Sequence, residues 1–191
     1  MPKIAVVLSP GFADWEYALI GGTGGPFYGL DVRYYATSPG ELRSQGGLVC
    51  SVDRGVEEIA AWEPDAVVVV GGTAWETDGT PDIRGVLRTQ RERGGVVAGI
   101  CGGTLALARA GLLNDVAHTS NEATFLTTHA AEYDGAGRYK QSAVAVTDGG
   151  IVTAPGTALV SFTAAVFAGV GLDPGAIEQF QSMMAAEHGA A

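Results

Sequence analysis

Cys101 lies in Gly99-Ile100-Cys101-Gly102-Gly103, where a run of buried-strand residues gives way at once to small residues and a helix. A strand that turns directly into a helix forces its pivot residue into a strained backbone conformation, and small neighbours relieve the crowding. The pivot side chain then stands at the top of the sheet, over the positive end of the following helix. A cysteine so placed is expected to be a thiolate nucleophile, its pKa lowered from ~8.5 to between ~3.5 and ~7.5. The same five residues also fit a buried, inert cysteine in a tight turn.

Two other segments carry groups that suit such a thiolate. Gly71-Gly72-Thr73 follows a run of valines. Its glycines let a backbone amide point into a pocket, where it would join the Gly102 amide in an oxyanion hole; an ordinary turn is the alternative. Asp14-Trp15-Glu16 places Glu16 in the first turn of a helix, where the dipole favours a carboxylate and simple capping is the plainer role. Beside the Cys101 sulfur, two negative charges would repel, so one group would keep a proton. A protonated Glu16 would donate to the thiolate or act as general acid and base. Trp15, Thr73 and Trp75 are placed to wall the pocket, with core packing the alternative for both indoles.

These segments need a scaffold, and the chain alternates strands and helices. Strands are expected over 3–9, 31–36, 65–70 and 95–100. The continuous valines of 67–70 suit a parallel strand covered on both faces. Residues 41–56 read as a hairpin, with Gln45-Gly46-Gly47 as its turn and 48–52 as its return strand. Helices are expected from near Asp14, over 56–62, from Pro81 to Arg93, and over 102–110, 157–170 and 174–187. Gly21-Gly22-Thr23-Gly24-Gly25-Pro26 should leave the first helix short, kinked or broken. Short strands are expected near 116–119, 143–147 and 150–154. The pattern predicts one α/β domain over 1–191: a mostly parallel sheet with helices on both faces and a small hairpin. Such sheets bind ligands at the carboxyl ends of their strands.

Composition removes several function classes. Net charge is −10, from 21 acidic and 11 basic residues. That disfavours nucleic acid and anionic membranes, whose contacts need Lys and Arg. No apolar run reaches the ~20 residues of a membrane helix, and the N-terminus lacks a cleavage-site pattern, so a cytoplasmic protein is expected. Three scattered histidines and two cysteines make no metal site, and the glycine run at 21–25 lacks the lysine of a phosphate loop. Neither metal nor cofactor is expected. Cys50, within Gly47-Leu48-Val49-Cys50-Ser51-Val52, reads as a small core residue in a strand.

Asp14-Trp15-Glu16, Gly71-Gly72-Thr73 with Trp75, and Gly99 to Ala108 with Ala110-Gly111-Leu112-Leu113 together resemble the ThiJ/PfpI superfamily, within the class I glutamine amidotransferase-like fold. His118-Thr119-Ser120-Asn121, Tyr139, and Val152-Thr153-Ala154 with Gly156-Thr157-Ala158 resemble a mostly uncharacterised bacterial branch of it. The resemblance covers nearly the whole chain. It implies a flavodoxin-like three-layer sandwich, Cys101 as nucleophile, Glu16 as its acidic partner, Gly72 and Gly102 as backbone donors, and a homodimer.

The sequence departs from that family at two positions. Some members carry a histidine directly after the cysteine, where this chain has Gly102. Others carry one about ten residues beyond the Gly-Leu-Leu that ends the elbow helix, where this chain has Asn121. On an extended segment His118 faces away from position 121, so it is expected to be a hydrogen-bonded structural residue. Asn121, His118 and Asp14 stand as accessory candidates; His129 and His188 are assigned no role.

A Cys–Glu pair without histidine suits thiolate addition to a small electrophile of the reactive-carbonyl or isocyanide type, as in a hydrolase or lyase. The alternative is a non-enzymatic redox or stress protein sensing oxidants through Cys101. An intracellular peptidase or a glutamine amidotransferase fits less well, since each normally needs a catalytic histidine.

Overall fold

Strand β1 (Lys3–Leu8) buries five successive residues, which requires cover on both faces. Alternation along the strands divides that cover. Ile4, Val6, Leu8, Val68, Ala98 and Ile100 pack with Ile20, Phe162 and Val166. Ala5, Val7, Val67, Val69 and Val97 pack on the opposite face with Leu87, Leu105 and Leu107. The first layer comes from helices α1 (Ala18–Tyr28) and α6 (Leu159–Gly169), flanked by α7 (Pro174–Gly189). The second comes from α2 (Ile59–Trp62), α3 (Arg84–Glu92) and α4 (Gly103–Arg109). This computed structural model describes residues 1–77, 79 and 81–189, with backbone alone for 187–189.

The sheet also contains β2 (Asp31–Ala36), β5 (Ala66–Val69), β6 (Val96–Ile100), β7 (Val146–Asp148) and β8 (Ile151–Ala154). Its order is β2-β1-β5-β6-β8-β7, parallel except for β7 at the edge. It is a flavodoxin-like three-layer sandwich. Strands β3 (Gly40–Arg43) and β4 (Val49–Val52) form the separate hairpin. Strand order reverses between β1 and β5, and ligands of such sheets lie in the crevice at that reversal. The loops after β1, β5, β6 and β8 all leave the same edge, which assembles the site described below.

Several elements depart from expectation. Helix α1 begins at Ala18, because the Asp14 carboxylate accepts the Gly46 amide of the hairpin (2.7 Å) and does not cap a helix. Nor does the glycine run break it: α1 passes through Pro26 to Tyr28. Gly24 lies close against the sheet and α6, with Val32 Cγ2 3.1 Å and Phe167 Cε1 3.6 Å from where a Cβ would project, and Gly21 abuts the Tyr34 hydroxyl. Close docking overrides weak propensity here. Helix α3 starts at Arg84 because Asp82 Oδ1 accepts the Arg84 amide (3.0 Å), three residues beyond Pro81.

No strand forms at 116–119. That segment makes a single bridge, His118 to Tyr139, and side chains hold it: Asp148 takes the Ala117 amide (2.7 Å) and Thr153 Oγ1 the Thr119 amide (2.9 Å). A helix not anticipated, α5 (Ala123–His129), follows it. Among the described residues, no helix is long and apolar enough to cross a membrane, and no group of three His, Cys, Asp or Glu is placed to hold a metal ion.

Candidate active site

Cys101 adopts φ +54°, in the left-handed region that a residue with a side chain enters at a cost of about 1–2 kcal/mol. Its surroundings hold it there. Its amide donates to Ala154 O (2.9 Å), continuing the β6–β8 pairing by one bond. Its carbonyl accepts from the Thr104 hydroxyl (2.6 Å), and that hydroxyl pairs with Ser120 Oγ (2.7 Å). The backbone of α4 then passes so close to β5 that a Cβ on Gly103 would collide with Val69 O. The glycines after the cysteine therefore serve the fold directly.

Glu16 sits in the turn just before α1, only 2% exposed, and reaches under the sheet edge. Its Oε2 accepts the Gly71 amide (2.7 Å). Its Oε1 is buried without a hydrogen-bond partner and lies close enough to the Cys101 thiol for each group to shift the other's pKa. Asn121 closes the other side. Its Oδ1 accepts the Gly156 amide (3.0 Å), which fixes its amide orientation and directs Nδ2 at Cys101 Sγ (3.3 Å). Gly156 roofs the pair: a Cβ there would lie 3.0 Å from Sγ and 3.1 Å from Glu16 Oε1. Gly71 is equally constrained, because a Cβ on it would meet Glu16 Oε2 at 2.5 Å and Cys101 Cβ at 2.8 Å.

Burial governs the titration of this pair. Desolvation pushes Glu16 up to about 7, against the opposing pull of the Cys101 thiol and the Gly71 amide. Desolvation and then the Glu16 charge push Cys101 up to about 11, while hydrogen bonds from Asn121 and the Gly102 amide work the other way. The expectation of a lowered thiol pKa is therefore corrected. Helix α4 has seven residues, and its field does not offset the loss of water and the nearby carboxylate. The two groups form one coupled unit that holds a single proton over a wide pH range.

A sharp strand-to-helix turn after β6, a buried glutamate after β1 and glycines after β5 and β8 meet on one thiol. The pattern of the DJ-1/PfpI family matches residues 2–168. The chain belongs to the DJ-1/PfpI family. A DJ-1 superfamily protein from Agrobacterium tumefaciens is similar in structure at a TM-score of 0.91, with 36% identity, covering 98% of this chain and 100% of its own. Two relatives from Bacillus subtilis carry the names uncharacterized protease YoaZ and uncharacterized protease YdeA. YoaZ is 28% identical over 171 residues, 86% of this chain and 81% of its own. YdeA is 29% identical over 187 residues, 96% of this chain and 91% of its own.

On this DJ-1/PfpI scaffold the remaining candidates fall in different places. His118 is buried, and both ring nitrogens bond groups other than the thiol. Its Nδ1 lies 2.8 Å from Val116 O, a pure acceptor, so Nδ1 carries the hydrogen and Nε2 accepts from the Tyr133 hydroxyl (2.6 Å). Burial lowers its pKa, and with both nitrogens engaged it is a structural residue. Asp14 tethers the hairpin; hydrogen bonds from Ser44 and Gly46 hold its carboxyl below the usual range. Trp75 is fully buried, its indole N–H donating to Val70 O (2.9 Å), so it packs in the core and is corrected as a pocket wall. Thr73 is exposed, with its hydroxyl turned toward Gly11. Trp15 is half-exposed and donates to Gly156 O (3.1 Å) at the rim of the site. Gly72 packs against Gly102, whose Cβ would lie 3.2 Å from Gly72 N. The His188 side chain lies outside the described residues.

On sequence grounds alone neither Gly156 nor Gly71 carries an individual site role. Pro155-Gly156 directly after the strand at 150–154 was the available signal, since it marks a fourth strand end on the same edge. For Asn121 the geometry sets an expected result. Asn121→Ala removes a donor to the sulfur and the Gly156 anchor together. Alkylation of Cys101 at pH 8 should slow by about three- to tenfold, read by site-resolved mass spectrometry, because one lost hydrogen bond to a charged group is worth ~1 kcal/mol or more. An unchanged rate would detach Asn121 from the thiol's chemistry.

Proposed function

We propose that this DJ-1/PfpI protein is a cysteine-dependent hydrolase or lyase acting on a small electrophile of the reactive-carbonyl or isocyanide type, with Cys101 as nucleophile and Glu16 as its proton partner. The observation that carries this reading is the Glu16 carboxyl group, buried, unpartnered at Oε1, and crowded with the Cys101 sulfur under Gly156. Above pH 7 the pair holds one proton, and moving it from sulfur to Glu16 creates the thiolate without bringing a charge in from solvent.

Toward a carbonyl substrate the sulfur forms a bond to the carbonyl carbon, and the π electrons move to oxygen. That oxygen takes the Glu16 proton. The amides of Gly102 and Gly72 are assigned to stabilise the developing negative charge. The Glu16 carboxylate left behind then serves as base for water or for a substrate proton. A homodimer in the cytoplasm completes the proposal.

Peptide hydrolysis is the weaker assignment. A leaving amine needs a positioned acid, and His118 spends both nitrogens on structure. A redox role is the second reading, favoured by the Cys101 thiol lying beside an unpartnered buried carboxyl oxygen.

The test is turnover of methylglyoxal, glyoxal and an isocyanide by purified protein. Cys101→Ala should remove roughly a thousandfold or more of the rate. If none of these substrates gives Cys101-dependent turnover while dilute peroxide adds two oxygens to Cys101 alone, the redox reading replaces the enzymatic one.

A further inference from the structure

The entrance beside Cys101 is a cleft of about 650 Å³ lined by Trp15, Asn121, Pro155, Gly156, Thr157 and Leu159. Asn121 and Gly156 also contact or crowd the sulfur, so these two residues join the cleft to the thiol. None of the six carries a charge. The ionisable group nearest the sulfur is the Glu16 carboxyl, and the chain as a whole carries −10. An anionic substrate would find no cation among these lining residues and would meet a carboxylate at the reacting atom.

The walls carry a positive preference as well. Trp15 is 47% exposed, yet its indole N–H is fixed on Gly156 O, so its ring is held in place over the rim of the cleft. Pro155 and Leu159 supply further apolar surface. An apolar group laid across these residues gains burial, and Trp15 pays little conformational entropy because it is already held.

We infer that the site selects an uncharged electrophile bearing an apolar, flat substituent, such as an aryl 2-oxoaldehyde, and rejects anionic ones such as a 2-oxo acid, with Trp15 as the specificity-determining residue. This rests on Cys101 being the nucleophile proposed above.

Alkylation separates the two statements without needing turnover. Iodoacetamide, iodoacetate and N-benzyl iodoacetamide are compared at Cys101 by peptide mass, each rate divided by that of a simple thiol under the same conditions. The normalised rate for iodoacetate should fall about tenfold or more below iodoacetamide, and that for the benzyl reagent should rise about fivefold or more above it. Trp15→Ala should collapse the benzyl advantage, and Trp15→Phe should keep most of it, which distinguishes lost apolar surface from a disturbed loop. Equal normalised rates for the three reagents, with Cys101 labelled, would overturn the selectivity and leave the nucleophile standing. No labelling of Cys101 by any reagent would overturn both.

Discussion

Glu16→Gln is expected to change the pH profile of Cys101 alkylation from two rising limbs to one. In the native chain, pH through about 7 removes the first proton of the pair, and pH through about 11 removes the second. Between these values a fraction of molecules holds the proton on Glu16 and the charge on sulfur, so reactivity should climb near 7 to a plateau and climb again near 11. Glutamine cannot take up that proton. The limb near 7 should vanish, and the remaining limb should fall below 11 because a repelling charge is gone. Two unchanged limbs in the variant would remove Glu16 from the chemistry.

The same substitution should flatten the dependence of stability on pH. Folded Glu16 holds its proton up to about 7, against 4.5 for an unperturbed glutamate, so the folded state binds protons more tightly than the unfolded chain. The stabilisation is complete below pH 4.5 and is lost as pH rises through 7, amounting to about 3 kcal/mol. Denaturant unfolding at pH 4.5 and 8 should show this slope in the native chain and its loss in Glu16→Gln.

Gly103→Ala is expected to cost about 3 kcal/mol or more, or to prevent folding. Its Cβ would run into Val69 O, a backbone atom in the middle of the sheet that cannot swing aside. Gly22→Ala provides the contrast. Gly22 lies in α1 with open space around the added atom. There the change should stabilise by up to ~1 kcal/mol, since alanine suits a helix better and narrows the unfolded ensemble. Urea midpoints of the two variants give the comparison directly. A Gly103→Ala midpoint close to that of the native chain would mean that α4 does not approach β5 as closely as described.

Much of this architecture could be read from the chain, and the misreadings share a cause. The valines of β5 and the small residues around Cys101 are dictated by local chemistry: one needs cover on both faces, the other needs room. Gly21 to Pro26 looked like a break because local propensity says so, and only Tyr34, Val32 and Phe167 across the interface explain why the helix persists. The thiol's raised pKa was hidden for a similar reason. Field direction follows from the elbow motif, whereas desolvation depends on Gly156 and Glu16 arriving from distant segments. Residues 116–119 carry strand-like composition, yet their amides are claimed by Asp148 and Thr153. Residues 123–129, with three threonines among seven, give too weak a helical pattern to announce α5.

The strand order also decides when the thiol acquires its character during folding. Glu16, Gly71, Cys101, Asn121 and Gly156 come from segments spread over some 140 positions, and they meet only after β1, β5, β6 and β8 have zipped into one sheet. A partly assembled chain would expose an ordinary, well-hydrated cysteine. Electrophiles should therefore mark nascent or unravelled copies of the protein with no limb near pH 7, which makes the reactivity of one sulfur atom a built-in gauge of whether the sheet is complete.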